Sequence, residues 1–318
     1  MASRETIYIL GSGAVGFPLA ASLAAAGRSV VAVRTSRADV PHSTITVTLQ
    51  SGEQRTSTPV ETISLARLPR LEGIIVIAAK AYANEALVRA LADKGAAGPV
   101  VLMQNGIGVE QPFLDARFPA IYRCVLYVTS QATAEHNFVF RPVTASPIGV
   151  ITGTEAELQR CVDALSTAGF PFRAEANIRR ESWKKAIINA VFNSICPLLE
   201  VDNGIFARDA AAAGLAREVI RECVTLTVRL GLGLSEQELL EQLLLISTRS
   251  DGQLISTLQD IRRGRPTEIA FLNLAIARVA ASLEPGLHLP YVALLGQLIA
   301  AKSALHARQS AFSAEIEG

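Results

Sequence analysis

The sequence predicts an α/β protein in two parts, a sheet-containing half over residues 1–176 and an all-helical half over residues 177–318. Three observations predict it. Short β-branched apolar runs alternate with helical stretches through the first half, as the strands of a parallel sheet buried on both faces do. From about Asn177 these runs give way to long segments with apolar residues at helical spacing. The chain is 318 residues long and 50% hydrophobic, enough to bury a core in each part.

The elements follow in order. Residues 7–10 form an apolar strand and 14–26 an Ala-rich helix stopped by Gly27. Residues 30–33 are a second strand. Residues 44–49 alternate as a third, with Gly52 marking the turn after it. Residues 74–78 and 100–103 are further apolar strands. Residues 122–130, 138–140 and 147–151 come too close together for helices between them and predict an antiparallel extension. Thr154 and Glu157 form a capping box opening a helix to residue 168. In the second half, 177–199 and 207–230 are long helices, the latter with Leu215, Val219, Cys223, Leu226 and Leu230 on one face. Gly231 and Gly233 end it, and Ser235 with Glu238 caps the next. Pro266 and Thr267 predict a helix start, with Glu268 in its first turn and the helix reaching residue 282. A last helix spans 291–306, and the tail frays from Ala307.

Composition excludes several classes. Lys plus Arg is 30 and Asp plus Glu is 29, so the net charge of +1 argues against a dedicated nucleic-acid or anionic-membrane binder. Cys124, Cys161, Cys196 and Cys223 are widely spaced, with no C-x-x-C. They read as packed apolar thiols in a reducing compartment, with no metal site and no redox pair. Residues 6–27 carry no charge over 22 positions, but Gly11, Gly13, Gly16 and Pro18 interrupt them. A buried strand, a tight turn and a buried helix explain this run better than a membrane span or a signal peptide. A soluble, cytoplasmic protein is expected.

Gly11-Ser12-Gly13-Ala14-Val15-Gly16 is a Gly-x-Gly-x-x-Gly run after a strand and before a helix. In that context it reads as a dinucleotide-binding turn. The first glycine allows the tight turn, the second lets a pyrophosphate approach the backbone, and the third lets helix and strand pack closely. The helix N-terminus adds unpaired N–H groups and partial positive charge. An NAD site expects Asp or Glu at the end of the second strand to hold the ribose 2′-OH. Here stands Arg34, followed by Thr35, Ser36 and Arg37. A guanidinium there pairs with a 2′-phosphate, which favours NADP(H). The alternative is that Arg34 and Arg37 are solvated loop charges.

Lys80 and Asn105 each follow an apolar strand, at the carboxyl ends where ligands of open α/β sheets bind. Lys80 could reach cofactor or substrate oxygens, and Asn105 the nicotinamide. Local loop structure is the alternative for both. In the second half, Lys185, Asn189 and Asn193 stay within about 80° on one helical face among apolar neighbours. Burying them without partners would be costly, so a ligand or interdomain hydrogen bonds must satisfy them. Trp183 reads as core.

Together these strings resemble the ketopantoate reductase family. The resemblance spans nearly the whole chain in order: the glycine turn, Lys80-Ala81-Tyr82, Gln104-Asn105-Gly106, Trp183-Lys184-Lys185 with Asn189 and Asn193, and residues 256–268 with Gly264-Arg265-Pro266-Thr267-Glu268-Ile269. It implies a Rossmann-like N-terminal domain, an all-helical C-terminal domain, and an active site in the cleft between them. It implies NADPH-dependent reduction of ketopantoate to pantoate, a step toward pantothenate and coenzyme A. It makes Lys185 the catalytic lysine and Glu268 the carboxylate that engages the substrate hydroxyl. Asn189, Asn193 and Ser256 become substrate-binding positions, Asn105 and Lys80 neighbours of nicotinamide and substrate, and Arg34 the 2′-phosphate contact. Three positions depart from the family's common pattern: Ala270 in place of Asp, Leu274 in place of Gly after Asn273, and Gln253 in place of Asn. The reaction type survives these changes, whereas a related reductase of another 2-oxo acid would keep the same machinery. A non-catalytic NADP-binding redox sensor is the alternative of another class, and Lys185, Asn189 and Glu268 favour the enzyme. The expected partner is a small 2-oxo acid, and a homodimer is left open.

Overall fold

The computed structural model describes residues 5–35 and 41–317, with side chains as far as Gln309. The chain divides into two compact units. One runs to Gln104 and resumes over Val109–Ile178. The other takes Asn105–Gly108 and continues from Arg179.

Among the described residues the first unit holds one 11-stranded sheet. Its strands are β1 (Ile7–Leu10), β2 (Val30–Arg34), β3 (Ser43–Ser51), β4 (Gln54–Ser64), β5 (Ile74–Ile77), β6 (Val100–Leu102), β7 (Ile121–Cys124), β8 (Val128–Ala134), β9 (Asn137–Pro142), β10 (Ser146–Thr152) and β11 (Phe172–Ala174). The order is β11-β10-β7-β6-β5-β1-β2-β4-β3-β9-β8. The centre is parallel. Ile7 of β1 pairs with Val30 of β2 on one side and Ile74 of β5 on the other. Helices α1 (Gly16–Ala25), α2 (Asn84–Asp93), α3 (Gln111–Asp115) and α4 (Glu155–Leu165) cover the faces. The pleat sorts the strands between two cores. Ile7, Ile9, Val30, Ala32, Ile74 and Val76 pack with Leu19 of α1 and Leu158 of α4. Leu10, Val33, Ile75 and Ile77 pack with Leu91 of α2 and Phe113 of α3. Each fully buried aliphatic side chain contributes roughly 1.5–3 kcal/mol, so the two-faced burial fixes the register of the central strands.

The antiparallel extension is split. β7 pairs antiparallel with β10 near one edge, while β8 and β9 form an antiparallel hairpin at the opposite edge, joined to β3 through β9. Strand β4 escaped the sequence pattern. Its inward positions are Thr58, Val60, Thr62 and Ser64, with Pro59 facing out, so its burial alternates while its hydropathy does not.

The second unit is helical: α5 (Ile178–Leu199), α6 (Ile205–Arg208), α7 (Ala210–Arg229), α8 (Glu236–Arg249), α9 (Ser256–Arg262), α10 (Asn273–Ala281) and α11 (Pro290–Glu317). Trp183, Ile187 and Val191 of α5 pack with Val219, Cys223 and Leu226 of α7, Leu239 and Leu243 of α8, and Ile276 of α10. Trp183 is therefore core, and all four cysteines are buried and free. The expected helix over 207–230 is broken at Asp209, whose side chain accepts from Ala212 N at 2.7 Å and starts α7 afresh. The last helix does not fray from Ala307 but continues to Glu317.

Candidate active site

The glycine turn lies between β1 and β5, where the strand order reverses. This is the place where open α/β sheets bind ligands. Its three glycines have different surroundings. A Cβ on Gly11, at φ 109°, would come within 2.3 Å of Ala79 N at the end of β5. One on Gly16 would lie 1.8 Å from the Gly11 carbonyl oxygen and 3.2 Å from Ile9 Cγ2. One on Gly13 would meet nothing within 4 Å. The first and third glycines thus close the turn on itself and on the sheet. The middle one opens to solvent at the start of α1, the opening a pyrophosphate needs. These residues fit a dinucleotide.

Arg34 ends β2 on the same side of the turn. Its guanidinium lies over the Phe17 ring of α1, 5.6 Å from the centroid, and its Nε is buried with no hydrogen-bond partner. Cation–π contact and this orphaned donor leave a positive group prepared for an anion. Ser36 and Arg37 lie outside the described residues.

Lys80 and Asn105 sit on loops leaving β5 and β6, and both are half-buried. Their positions rest on two residues that the sequence did not single out as a pair. Asn84 and Gln104 are buried and bond each other twice, Nδ2 to Oε1 at 2.9 Å and Nε2 to Oδ1 at 2.6 Å. Gln104 also donates to Ala79 O, beside Lys80, at 2.8 Å, and Asn84 to Val109 O at 2.8 Å. The pair locks the first strand-end loop and both flanks of the Asn105–Gly108 segment. Only the reciprocal amide chemistry of an Asn and a Gln 20 residues apart hints at it in sequence.

On α5 the two adjacent lysines part company. Lys184 Nζ bridges Glu238 Oε1 at 2.9 Å, and Arg180 reaches Glu238 Oε2 at 2.6 Å. Burial pushes the Glu238 carboxyl up, but Lys184 and Arg180 reverse this and hold it below the usual carboxylate range. Lys185 is half-buried, on the face that carries Asn189 and Asn193. Asn193 is buried, with its Oδ1 accepting from Thr257 Oγ1 at 2.6 Å and its Nδ2 donating to Asn189 O at 2.8 Å. The Asn193 amide carries a second hydrogen beyond the one given to Asn189 O. The Thr257 bond also brings the start of α9, and exposed Ser256 with it, to the Lys185 face.

Glu268 corrects the sequence reading. It does not stand in the first turn of an α-helix. A 3₁₀ turn (Ile269–Phe271) follows it, and α10 starts only at Asn273. The reason is a competing hydrogen bond. Ile107 N takes the Phe271 carbonyl at 2.8 Å, an acceptor that a continuous helix would use internally. Gly106 makes the approach possible, since a Cβ there would lie 2.5 Å from that oxygen. The result places the Asn105–Gly108 segment against the turn that carries the buried Glu268 carboxylate. Leu274 packs on Gly296 of α11, where an added Cβ would lie 2.8 Å from Leu274 Cδ2, so a glycine on α11 accommodates its bulk. No group of three or more His, Cys, Asp and Glu among the described residues could hold a metal ion.

A doubly wound sheet with a glycine turn at its switch point, followed by a helical unit bearing a lysine–asparagine face, defines a dinucleotide-dependent oxidoreductase. Residues 7–148 match the family described as ketopantoate reductase PanE/ApbA, and residues 177–303 match its C-terminal domain. The chain belongs to the ketopantoate reductase family. It is 28% identical over 313 residues to the 2-dehydropantoate 2-reductase of Pyrococcus abyssi, covering 95% of this chain and 99% of that one. Two solved structures share the fold over 95% of this chain and 99% of theirs. One is a dimeric ketopantoate reductase from Staphylococcus aureus, at TM-score 0.80 and 21% identity. The other is a D-mandelate dehydrogenase with NADH and anilino(oxo)acetate, at TM-score 0.82 and 20% identity.

Proposed function

We propose that this protein reduces 2-dehydropantoate (ketopantoate) to pantoate with NADPH, in the route to pantothenate and coenzyme A. The observation that carries the reading, beside family membership, is the single α5 face of Lys185, Asn189 and Asn193, with Asn193 fixed by Thr257. In this reading residues 1–176 serve as the NADP-binding domain and 177–318 as the substrate and catalytic domain. The turn Gly11, Ser12, Gly13, Ala14, Val15 and Gly16 holds the pyrophosphate, Arg34 the 2′-phosphate, and Lys80 and Asn105 the nicotinamide end.

When bound, the dihydronicotinamide supplies the hydride that arrives at the ketone carbon. The chain's own task is the oxygen. An alkoxide develops there, and the Lys185 ammonium both stabilises the charge and donates the proton. Asn189, Asn193 and Ser256 orient the substrate carboxylate. Glu268 accepts the hydrogen bond of the primary hydroxyl. In this reading the partner is a small 2-oxo acid and the compartment the cytoplasm, without nucleic acid or membrane. Among the described residues no helix is long and apolar enough to cross a membrane.

A buried carboxylate built to bond a hydroxyl rejects an analogue that lacks it. Ketopantoate should exceed 2-oxoisovalerate in kcat/KM by a factor on the order of 10² or more, followed as NADPH absorbance. Glu268→Gln should shrink that gap while sparing part of the activity on the analogue. Equal or better turnover of 2-oxoisovalerate or another plain 2-oxo acid would make the protein a sibling reductase with the same lysine. Ala270 favours this second reading, because it stands where the family's common pattern has Asp.

A further inference from the structure

Arg34 has a neighbour from a distant part of the sequence. The hairpin of β8 and β9 turns at Glu135-His136, and His136 adopts φ 57°, a left-handed conformation uncommon outside glycine and asparagine. Its carbonyl accepts from Thr48 N of β3 at 2.9 Å, which ties the turn to the sheet. Its ring then meets two cofactor-side groups. Nε2 lies 3.0 Å from Arg34 Nη2, and the ring stands edge-on to Phe17 at 5.2 Å between centroids. The Arg34 guanidinium is thus held on two sides, by Phe17 beneath it and His136 beside it. A guanidinium can only donate, so His136 Nε2 accepts and its proton sits on Nδ1. Burial, helped by the Arg34 charge and opposed by Glu135, lowers the His136 pKa and keeps that acceptor available.

We propose that His136 is a positioning residue for Arg34, and through it a second determinant of the preference for a 2′-phosphorylated dinucleotide. The inference rests on the reading of Arg34 as the 2′-phosphate contact. A free arginine would lose side-chain freedom on pairing with the phosphate, and a preset one loses little. His136 should therefore matter for NADPH and not for NADH.

Calorimetric titration of the full chain with NADPH and with NADH tests this in the unmutated protein and in Arg34→Ala, His136→Ala and His136→Gln. His136→Ala should weaken NADPH binding about tenfold and leave NADH within about twofold, the unchanged NADH affinity showing that the unit is folded. His136→Gln should recover most of the loss, because its amide oxygen can accept from Arg34. If Arg34→Ala abolishes the NADPH preference while His136→Ala spares it, or if His136→Ala weakens both dinucleotides equally, the His136 assignment is wrong and the Arg34 reading stands. If Arg34→Ala leaves the preference intact, the 2′-phosphate reading itself falls, and His136 with it.

Discussion

The glycine turn of the first unit and the α5 face of the second are opposite kinds of candidate site. The turn is made of backbone. Gly11 and Gly16 have no room for a methyl group, and only Gly13 has open space beside it. The α5 face is made of side chains on a helix whose apolar residues are ordinary core. There, what each residue can do depends on which way it points: Lys184 goes to Glu238, and Lys185, one residue on, lies on the face of Asn189 and Asn193. A backbone site ties ligand binding to folding, whereas a side-chain site can lose its chemistry and keep its fold.

The largest effects are expected inside the turn. Gly11→Ala should destabilise the first unit by ~3 kcal/mol or more, through both the positive φ and the collision with Ala79. Gly13→Ala should leave thermal stability nearly unchanged and still weaken NADPH binding by at least ~10-fold, because its methyl group occupies the pyrophosphate's approach. Melting curves with and without NADPH separate the two. Equal loss of stability in both variants would remove the division of labour among the glycines.

Arg34 tests whether a side chain can tune the backbone site. The unmutated protein should bind NADPH well over tenfold tighter than NADH, since a charge-assisted pair is worth ~1.5–3 kcal/mol. Arg34→Ala should erase most of that difference in the same titrations. Equal affinities before mutation would remove the idea.

The smallest effect belongs to the other lysine. The Glu238 pKa is depressed in the fold, so its contribution to stability is complete above the unfolded carboxylate value of about 4.3 and disappears as pH falls through the lower folded value. Lys184→Ala should cost about 1 kcal/mol near neutral pH, and the gap between variant and unmutated protein should close toward pH ~3. Turnover of Lys184→Ala should stay close to normal. A gap that widens in acid would show that Glu238 is not the partner that matters.

Legibility followed the same division. The turn was readable because each glycine answers a steric demand and the flanking strand and helix carry plain apolar patterns. Central strands β1, β2, β5 and β6 were readable for the same reason, being buried on both faces. Strand β4 was not, because hydroxyl residues Thr58, Thr62 and Ser64 share its inward positions with Val60. The split of the later strands between opposite edges was hidden because pairing partners are chosen by long-range topology. Helical spacing revealed the α5 stripe but could not separate Lys184 from Lys185, which needs the position of Glu238 on α8. At Glu268 local signals pointed to a helix start, and a tertiary bond from Ile107 overrode them. The Asn84–Gln104 lock and the His136–Arg34 contact join residues 20 and 102 positions apart, beyond the reach of any local pattern.

In the proposed reaction Lys185 delivers the proton while the other unit holds the dinucleotide. Lys185→Ala tests it in one paired measurement, NADPH affinity by titration and ketopantoate turnover by NADPH absorbance on the same preparation. NADPH affinity should stay close to that of the unmutated protein and kcat should fall by ~10²-fold or more, as loss of a general acid and its charge produces. Near-normal turnover, or a loss of NADPH binding that accounts for the whole defect, would contradict it.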